Sequence, residues 1–266
     1  MAEFKHKHSL GQNFLKDKKV LANIIDSVDV KKEDLVIEVG PGHGALTKFL
    51  KLYKANLVCF EIDERLKNYL KIYEDEKTKI IFKDIMEVDL SNEIPFNNYD
   101  KVYVIANLPY YITTPIIEKF INSDLDIKAM VLMVQNEVAE RLSAKPGSRD
   151  YGAITVLLNY YFDINKISFV SRKCFEPVPN VDSAVIKLEK INRKEKVIDL
   201  DLFRTIVRDS FAMKRKNIRN NLRKYNLEII EDVLSTYGLD LSCRAEQVSV
   251  ECFVDITNKI SLVNSK

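Results

Sequence analysis

Asn107-Leu108-Pro109-Tyr110 closes an apolar run, Lys101 to Ala106, that reads as a buried strand. A carboxamide, a proline and an aromatic ring at a strand end suit one task. They can grip an exocyclic amine of a nucleobase while the ring stacks on the base. The same composition also marks an ordinary strand-end loop. Three earlier glycines shift the balance. Gly40, Gly42 and Gly44 directly follow the strand-like run Leu35–Val39 and directly precede a helix-like segment, Ala45 to Leu52. Glycines there permit a tight turn and a close backbone approach to a ligand.

The spacing narrows the ligand. A dinucleotide fingerprint has its third glycine five positions after the first. Here Gly44 stands fourth after Gly40, and Ala45 takes the fifth place. No Gly-Lys-Ser/Thr follows, which excludes a P-loop. A nucleoside without phosphate, such as S-adenosylmethionine, fits the loop better. Glu61, 21 residues after Gly40, ends the second strand-like run and can accept from both ribose hydroxyls. Asp84 follows the third run and can accept from an adenine amine. Glu38, just before the glycines, can orient their loop.

These side chains need a scaffold that gathers strand ends. Leu35–Val39, Leu57–Glu61, Ile80–Phe82, Val102–Ala106 and Met130–Val134 read as strands. Ala45 to Leu52, Glu64 to Tyr73, Thr114 to Ile121 and Gln135 to Leu142 read as helices. Strands alternating with helices imply a doubly wound α/β sheet with its crevice at the strands' C-terminal ends. A helix over Ala153 to Tyr160 and strands over Lys166 to Val170 and Ala184 to Leu188 follow. From Asp199 onward the pattern is helical. Lysines and glutamates crowd residues 190–196, which places a domain boundary there: a sheet domain over 1–192 and a helical domain over 193–266.

The 266 residues, 46% hydrophobic, suffice for a full core. No apolar run is long enough to span a membrane. Cys59, Cys174, Cys243 and Cys252 are scattered, and two of the three histidines lie in the first eight residues. That argues against a metal centre and a disulfide framework and fits the cytoplasm. A net charge of +2 says little about partners, but its distribution says more. Lys5, Lys7, Lys16, Lys18 and Lys19 make a basic N-terminal arm. Between Arg204 and Lys224, eight basic residues face the single acid Asp209. Such a run is either a solvated helix face or a phosphate-contacting surface, here led by Lys214, Arg215, Lys216, Arg219 and Arg223.

Several segments, in order, carry a resemblance. They are residues 11–15 (Gly-Gln-Asn-Phe-Leu), 38–42 (Glu-Val-Gly-Pro-Gly), 107–110, Tyr151-Gly152, 175–185 from Phe175 to Val185, 215–220 and Arg244-Ala245-Glu246. With them the chain resembles the ribosomal RNA adenine N6-dimethyltransferases of the KsgA type, over nearly its whole length. The resemblance implies a Rossmann-like class I S-adenosylmethionine-dependent methyltransferase with a smaller all-helical C-terminal domain facing RNA. It implies dimethylation of two adjacent adenosines in a hairpin near the 3′ end of small-subunit (16S) rRNA during ribosome assembly. The substrate would be an immature particle, and the enzyme a metal-free monomer. Asn13 and Leu15 match the segment that covers the cofactor. Gly40, Gly42, Glu61, Asp84 and Asn107 match the other cofactor contacts. Asn107, Leu108, Pro109 and Tyr110 match the target-base grip, and Phe175 an aromatic that packs on the target adenine. His43, Tyr111, Glu176 and Val178 depart from the common pattern, His43 as an exposed side chain outside the chemistry.

Three other readings share part of the evidence. An Erm-type enzyme acts on a large-subunit (23S) adenine and has a related Asn-x-Pro-Tyr motif. Leu108, the Phe175 to Val185 run and Arg244-Ala245-Glu246 favour the small-subunit type. A DNA adenine methyltransferase often carries Asp-Pro-Pro-Tyr, and the acid is absent here. A non-catalytic RNA-binding assembly factor would not need the full cradle and Asn107.

Overall fold

A computed structural model describes residues 13–109 and 112–264. Tyr110 and Tyr111 lie outside the described residues, as do Lys5, Lys7 and the Gly11-Gln12 pair. The chain forms two compact units. One runs to Ala139 and resumes over Ile164–Lys190; the other comprises Glu140–Asp163 and Ile191 onward.

In the first unit the elements run in this order: β1 (Phe14–Leu15), α1 (Lys18–Asp26), β2 (Leu35–Val39), α2 (Ala45–Leu50), β3 (Asn56–Glu61), α3 (Lys67–Leu70), β4 (Thr78–Phe82), α4 (Leu90–Glu93), β5 (Val102–Asn107), α5 (Thr113–Ile121) and β6 (Ile127–Gln135). The chain then passes through α6 (Asn136–Leu142) and α7 (Ala153–Tyr161) to β7 (Phe162–Val170), β8 (Phe175–Glu176) and β9 (Ser183–Lys190). Seven strands form one sheet in the order β4-β3-β2-β5-β6-β9-β7. Strands β2 to β6 pair in parallel, and β9 runs antiparallel to β6. Every residue of β2 is buried, which is why Leu35–Val39 reads as an unbroken apolar run apart from Glu38.

Some sequence expectations shift. The helix predicted over Ala45 to Leu52 stops at Leu50 and tightens into a 3-10 turn, Lys51–Tyr53. The one predicted over Glu64 to Tyr73 breaks into two 3-10 turns around α3. Its buried anchors, Leu66 and Leu70, span a single helical turn. Strand β7 begins at Phe162, not Lys166. Buried Phe162 and Ile164 alternating with exposed Asp163 and Asn165 were a period-two signal in the sequence. Several short elements were not foreseen, among them α1, β1 and β8. Helix α1 is capped by Asp17, whose carboxylate accepts from the Lys19 and Val20 amides. Strands β1 and β8 pair with each other over two residues, too short to show any period.

The second unit is built on α7, α8 (Leu200–Ser210), α9 (Ile218–Asn221), α10 (Leu227–Thr236) and α11 (Val250–Asn264). Asp199, Asn217 and Asn226 cap the starts of α8, α9 and α10. Phe203, Ile206, Val207 and Ser210 form the buried stripe of α8, at helical spacing. The apolar three, Phe203, Ile206 and Val207, share a core with Ile230, Val233, Leu234, Phe253 and Ile256. Each such side chain stabilises the unit by about 1.5–3 kcal/mol through removal from water. Tyr151 and Val156 belong to this core as well. That groups Glu140–Asp163 with the helices, whereas the sequence boundary near residue 192 keeps it with the sheet.

Candidate active site

The site follows from the strand order. From β2 the chain first adds β3 and β4 on one side, then crosses to add β5 and β6 on the other. The loops after β2 and β5 therefore part company, and a crevice opens between them at the strand ends. The register pairs Val39 with Ala106, so Gly40 and Asn107 emerge side by side. A pocket there is lined by Asn13, Leu15, Gly40, Gly42, Glu61, Asp84 and Asn107. All seven residues predicted to touch the cofactor thus meet in one cavity, with Leu108 and Pro109 at the same wall.

The glycines are required by their neighbours. Gly42 has φ +60°, and a Cβ on it would stand 2.6 Å from the Phe14 ring. Gly44 has φ +81°, and a Cβ there would overlap the Tyr73 ring. Glu61 fixes the loop from below. One carboxylate oxygen accepts from the Gly42 amide at 3.0 Å and the other from the Asp63 amide at 2.9 Å. Each oxygen keeps a lone pair for a ligand hydroxyl. Burial raises the Glu61 pKa, against the pull of those two amides. Glu38, 1% exposed, accepts from the Thr47 hydroxyl at 2.7 Å. That bond ties β2 to the first turn of α2 across the glycine loop. Burial pushes the Glu38 carboxyl up to about 7.

Glu38, Glu61 and Asp84 line the pocket against a single lysine, Lys83, which is itself ion-paired with Glu93. Such a lining repels phosphates and suits a donor bearing a sulfonium cation. The chemistry of this donor set therefore fits S-adenosylmethionine. Among the described residues, no group of three or more His, Cys, Asp and Glu is placed to hold a metal ion. Nor is any described helix long and apolar enough to cross a membrane.

Three residues behave differently from expectation. His43 is not an exposed bystander. Its ring stacks on Phe14, with centroids 4.2 Å apart and planes 12° apart, and on Tyr69 at 4.8 Å. Phe175 is only 3% exposed and packs in the sheet unit's core with Leu15, its partner in the β1–β8 pair. Its ring is a core group in this structure, not a free face for a base. Glu176 is ion-paired with Lys16, so it places no bare acid on the surface. Sequence reasoning also missed one contact: the Asn107 Nδ2 donates to the Asn13 main-chain carbonyl at 3.1 Å. No local signal could reveal it, because the two are 94 residues apart.

In the helical unit, Lys214, Arg215 and Lys216 occupy the exposed turn between α8 and α9, and Arg219 and Arg223 are exposed beyond it. Asn221 holds that turn. Its Oδ1 accepts from the Met213 amide at 3.2 Å, and its Nδ2 donates to the Ser210 carbonyl at 2.6 Å. Elsewhere in the basic run, Lys224 pairs with Asp209 at 2.9 Å and Arg204 with Asp201 at 3.7 Å.

Known proteins share this arrangement. The model of a family described as ribosomal RNA adenine dimethylase matches residues 3–262. A Ribosomal RNA small subunit methyltransferase A from Clostridium acetobutylicum is 40% identical over 265 residues, covering 97% of this chain and 94% of that protein. One of the same name from a Geobacillus species is 43% identical over 276 residues, covering 98% and 93%. Among solved structures, a dimethyladenosine transferase from Plasmodium falciparum aligns with TM-score 0.75 and 25% identity over 91% of this chain and 95% of that one. The 23S rRNA methyltransferase ErmE aligns with TM-score 0.71, also at 25% identity, over 93% and 99%. With matches over nearly its whole length, the chain belongs to the ribosomal RNA adenine dimethylases.

Proposed function

We propose that the chain dimethylates N6 of two adjacent adenosines in a hairpin near the 3′ end of small-subunit rRNA, acting as a cytoplasmic monomer on an immature particle. The observation that carries this reading is the convergence of the glycine loop, Glu61 and Asn107 on one pocket at the β2–β5 crossover. The small-subunit name of the relatives at 40–43% identity favours that RNA over the large-subunit one.

S-adenosylmethionine supplies an electrophilic methyl group when bound. Glu61 and Asp84 would hold its ribose and adenine, with Asn13 and Leu15 covering it. The target amine is a poor nucleophile because its lone pair is delocalised into the ring. Its own acidity is far too weak for a side-chain base to be useful, so geometry must do the activation. In the first transfer the Asn107 side-chain oxygen and the Leu108 carbonyl accept the two N6 hydrogens, and in the second one of them accepts the hydrogen that remains. That draws the nitrogen toward a tetrahedral shape and aims its lone pair at the methyl site. Pro109 fixes the backbone just after the two grips. Tyr110 stacks on the base, a contact worth about 1–3 kcal/mol. Orientation of this kind can supply as much as about 7–11 kcal/mol of a barrier reduction. The base reaches the pocket only when splayed from its RNA stack.

Labelled donor incubated with immature small-subunit particles and, separately, with naked large-subunit RNA tests the reading. Mapping should find N6,N6-dimethyladenosine at two adjacent small-subunit positions. Label confined to large-subunit RNA would refute it. The basic turn makes a second expectation. Replacing Lys214, Arg215 and Lys216 by Gln should weaken RNA binding and reduce the slope of log K against log salt by about 2–3. Filter binding over a salt series measures both, and an unchanged slope returns the turn to a solvated surface.

A further inference from the structure

The Asn13 carbonyl can only accept a hydrogen bond, so the group of Asn107 facing it must be the amide NH2. A carboxamide is planar, and pinning its nitrogen on one side fixes its oxygen on the other. That bond pins the nitrogen, and Asn107 is among the residues that line the pocket. Were the plane reversed, an N–H would face the hydrogens of the target amine, and donor would oppose donor.

The carbonyl that does this is itself held from several directions. Phe14 lies flat on His43 and presses against Gly42, where only a missing Cβ leaves room. His43 in turn stacks on Tyr69. Leu15 pairs with Phe175 in the core, and the Lys16 amide donates to the Cys174 carbonyl at 2.9 Å. Asp17 then starts α1. Asn13 is thus the residue just before a segment anchored by a ring stack, a strand pair and a helix cap.

We propose that Asn13–Leu15 is a positioning clamp for the target-base grip: the Asn13 carbonyl orients the Asn107 amide so that its oxygen meets the target amine. This rests on the role assigned to Asn107 above. It accounts for an amide at this position, because a carboxylate at 107 would set its oxygen against the carbonyl oxygen of Asn13. It also makes His43 and Phe14 positioning residues that act through Asn107. The same three residues line the donor pocket, so the segment that orients the grip is also part of the pocket wall.

The test uses Asn107→Asp, which keeps two acceptor oxygens and removes the N–H. At saturating donor and RNA, its kcat should fall about tenfold or more. Phe14→Ala should lower kcat in the same way, and Phe14→Tyr, which keeps the ring, should restore it. In the Asn107→Asp background, Phe14→Ala should add little, because the contact it supports is already gone. Parental kcat in Asn107→Asp overturns the clamp. So does a Phe14→Ala effect of equal size in both backgrounds. Asn107→Ala separates this from the underlying reading: if that variant stays active, the grip itself is wrong, whereas an inactive Asn107→Ala with a fully active Asn107→Asp removes only the clamp.

Discussion

Asn107→Ala should lose methyl transfer by a factor of about 100 or more while RNA binding persists. The substitution removes an acceptor that acts on the reacting amine and no group that holds the RNA backbone. The five exposed basic residues proposed for that task, Lys214 to Lys216, Arg219 and Arg223, lie in the helical unit. The fold should tolerate the change, because Asn107 is the last residue of β5 and only half-buried. Single-turnover transfer from labelled donor, beside RNA binding by filter retention, reads both effects. Undiminished turnover would remove Asn107 from the chemistry. A parallel fall in RNA affinity would make it a binding residue instead.

Glu61→Ala should act on the other substrate. The side chain is 5% exposed, and both its oxygens already hold amides of the loops that wall the pocket. Its removal takes away the acceptor for the ribose hydroxyls and leaves the Gly42 and Asp63 amides unpaired. A hydrogen bond to a charged group is worth about 1.5–3 kcal/mol, so donor affinity should fall about 10- to 100-fold. RNA affinity should stay near the parental value. Calorimetry with S-adenosylmethionine measures the first, and unchanged donor affinity would refute the role. The raised pKa adds a pH dependence. Only the ionised carboxylate accepts from every side, so donor affinity should weaken on acidification at a higher pH than for an ordinary glutamate. Glu61→Ala should flatten that part of the profile.

Much of the site was legible because its parts sit at strand ends. Apolar runs located β2, β3 and β5, and the residues at or just past their ends were Gly40, Glu61 and Asn107. In a parallel sheet those positions share one edge, so local patterns alone predicted a shared crevice. The small elements were harder. Strands β1 and β8 have two residues each, and their pairing joins positions 14–15 to 175–176. Phe175 matched a motif and was assigned to the base, yet its ring is packed in the core. An aromatic residue has the same letter whether it stacks on a ligand or on its own protein. His43 was misjudged for a related reason: its stacking partners, Phe14 and Tyr69, come from elements whose approach only folding decides.

The sequence by itself determined the sheet, the glycine turn, the acids at its strand ends, the basic run and, through ordered motifs, the family. These depend on local periodicity and residue chemistry, which neighbours in the chain express directly. Tertiary structure alone decided which way the Asn107 amide points, what Phe175 packs against and which core holds Tyr151. Each of those is a contact between distant segments. Its stabilisation appears only once the chain has closed the loop between them, so it leaves no mark on the sequence nearby.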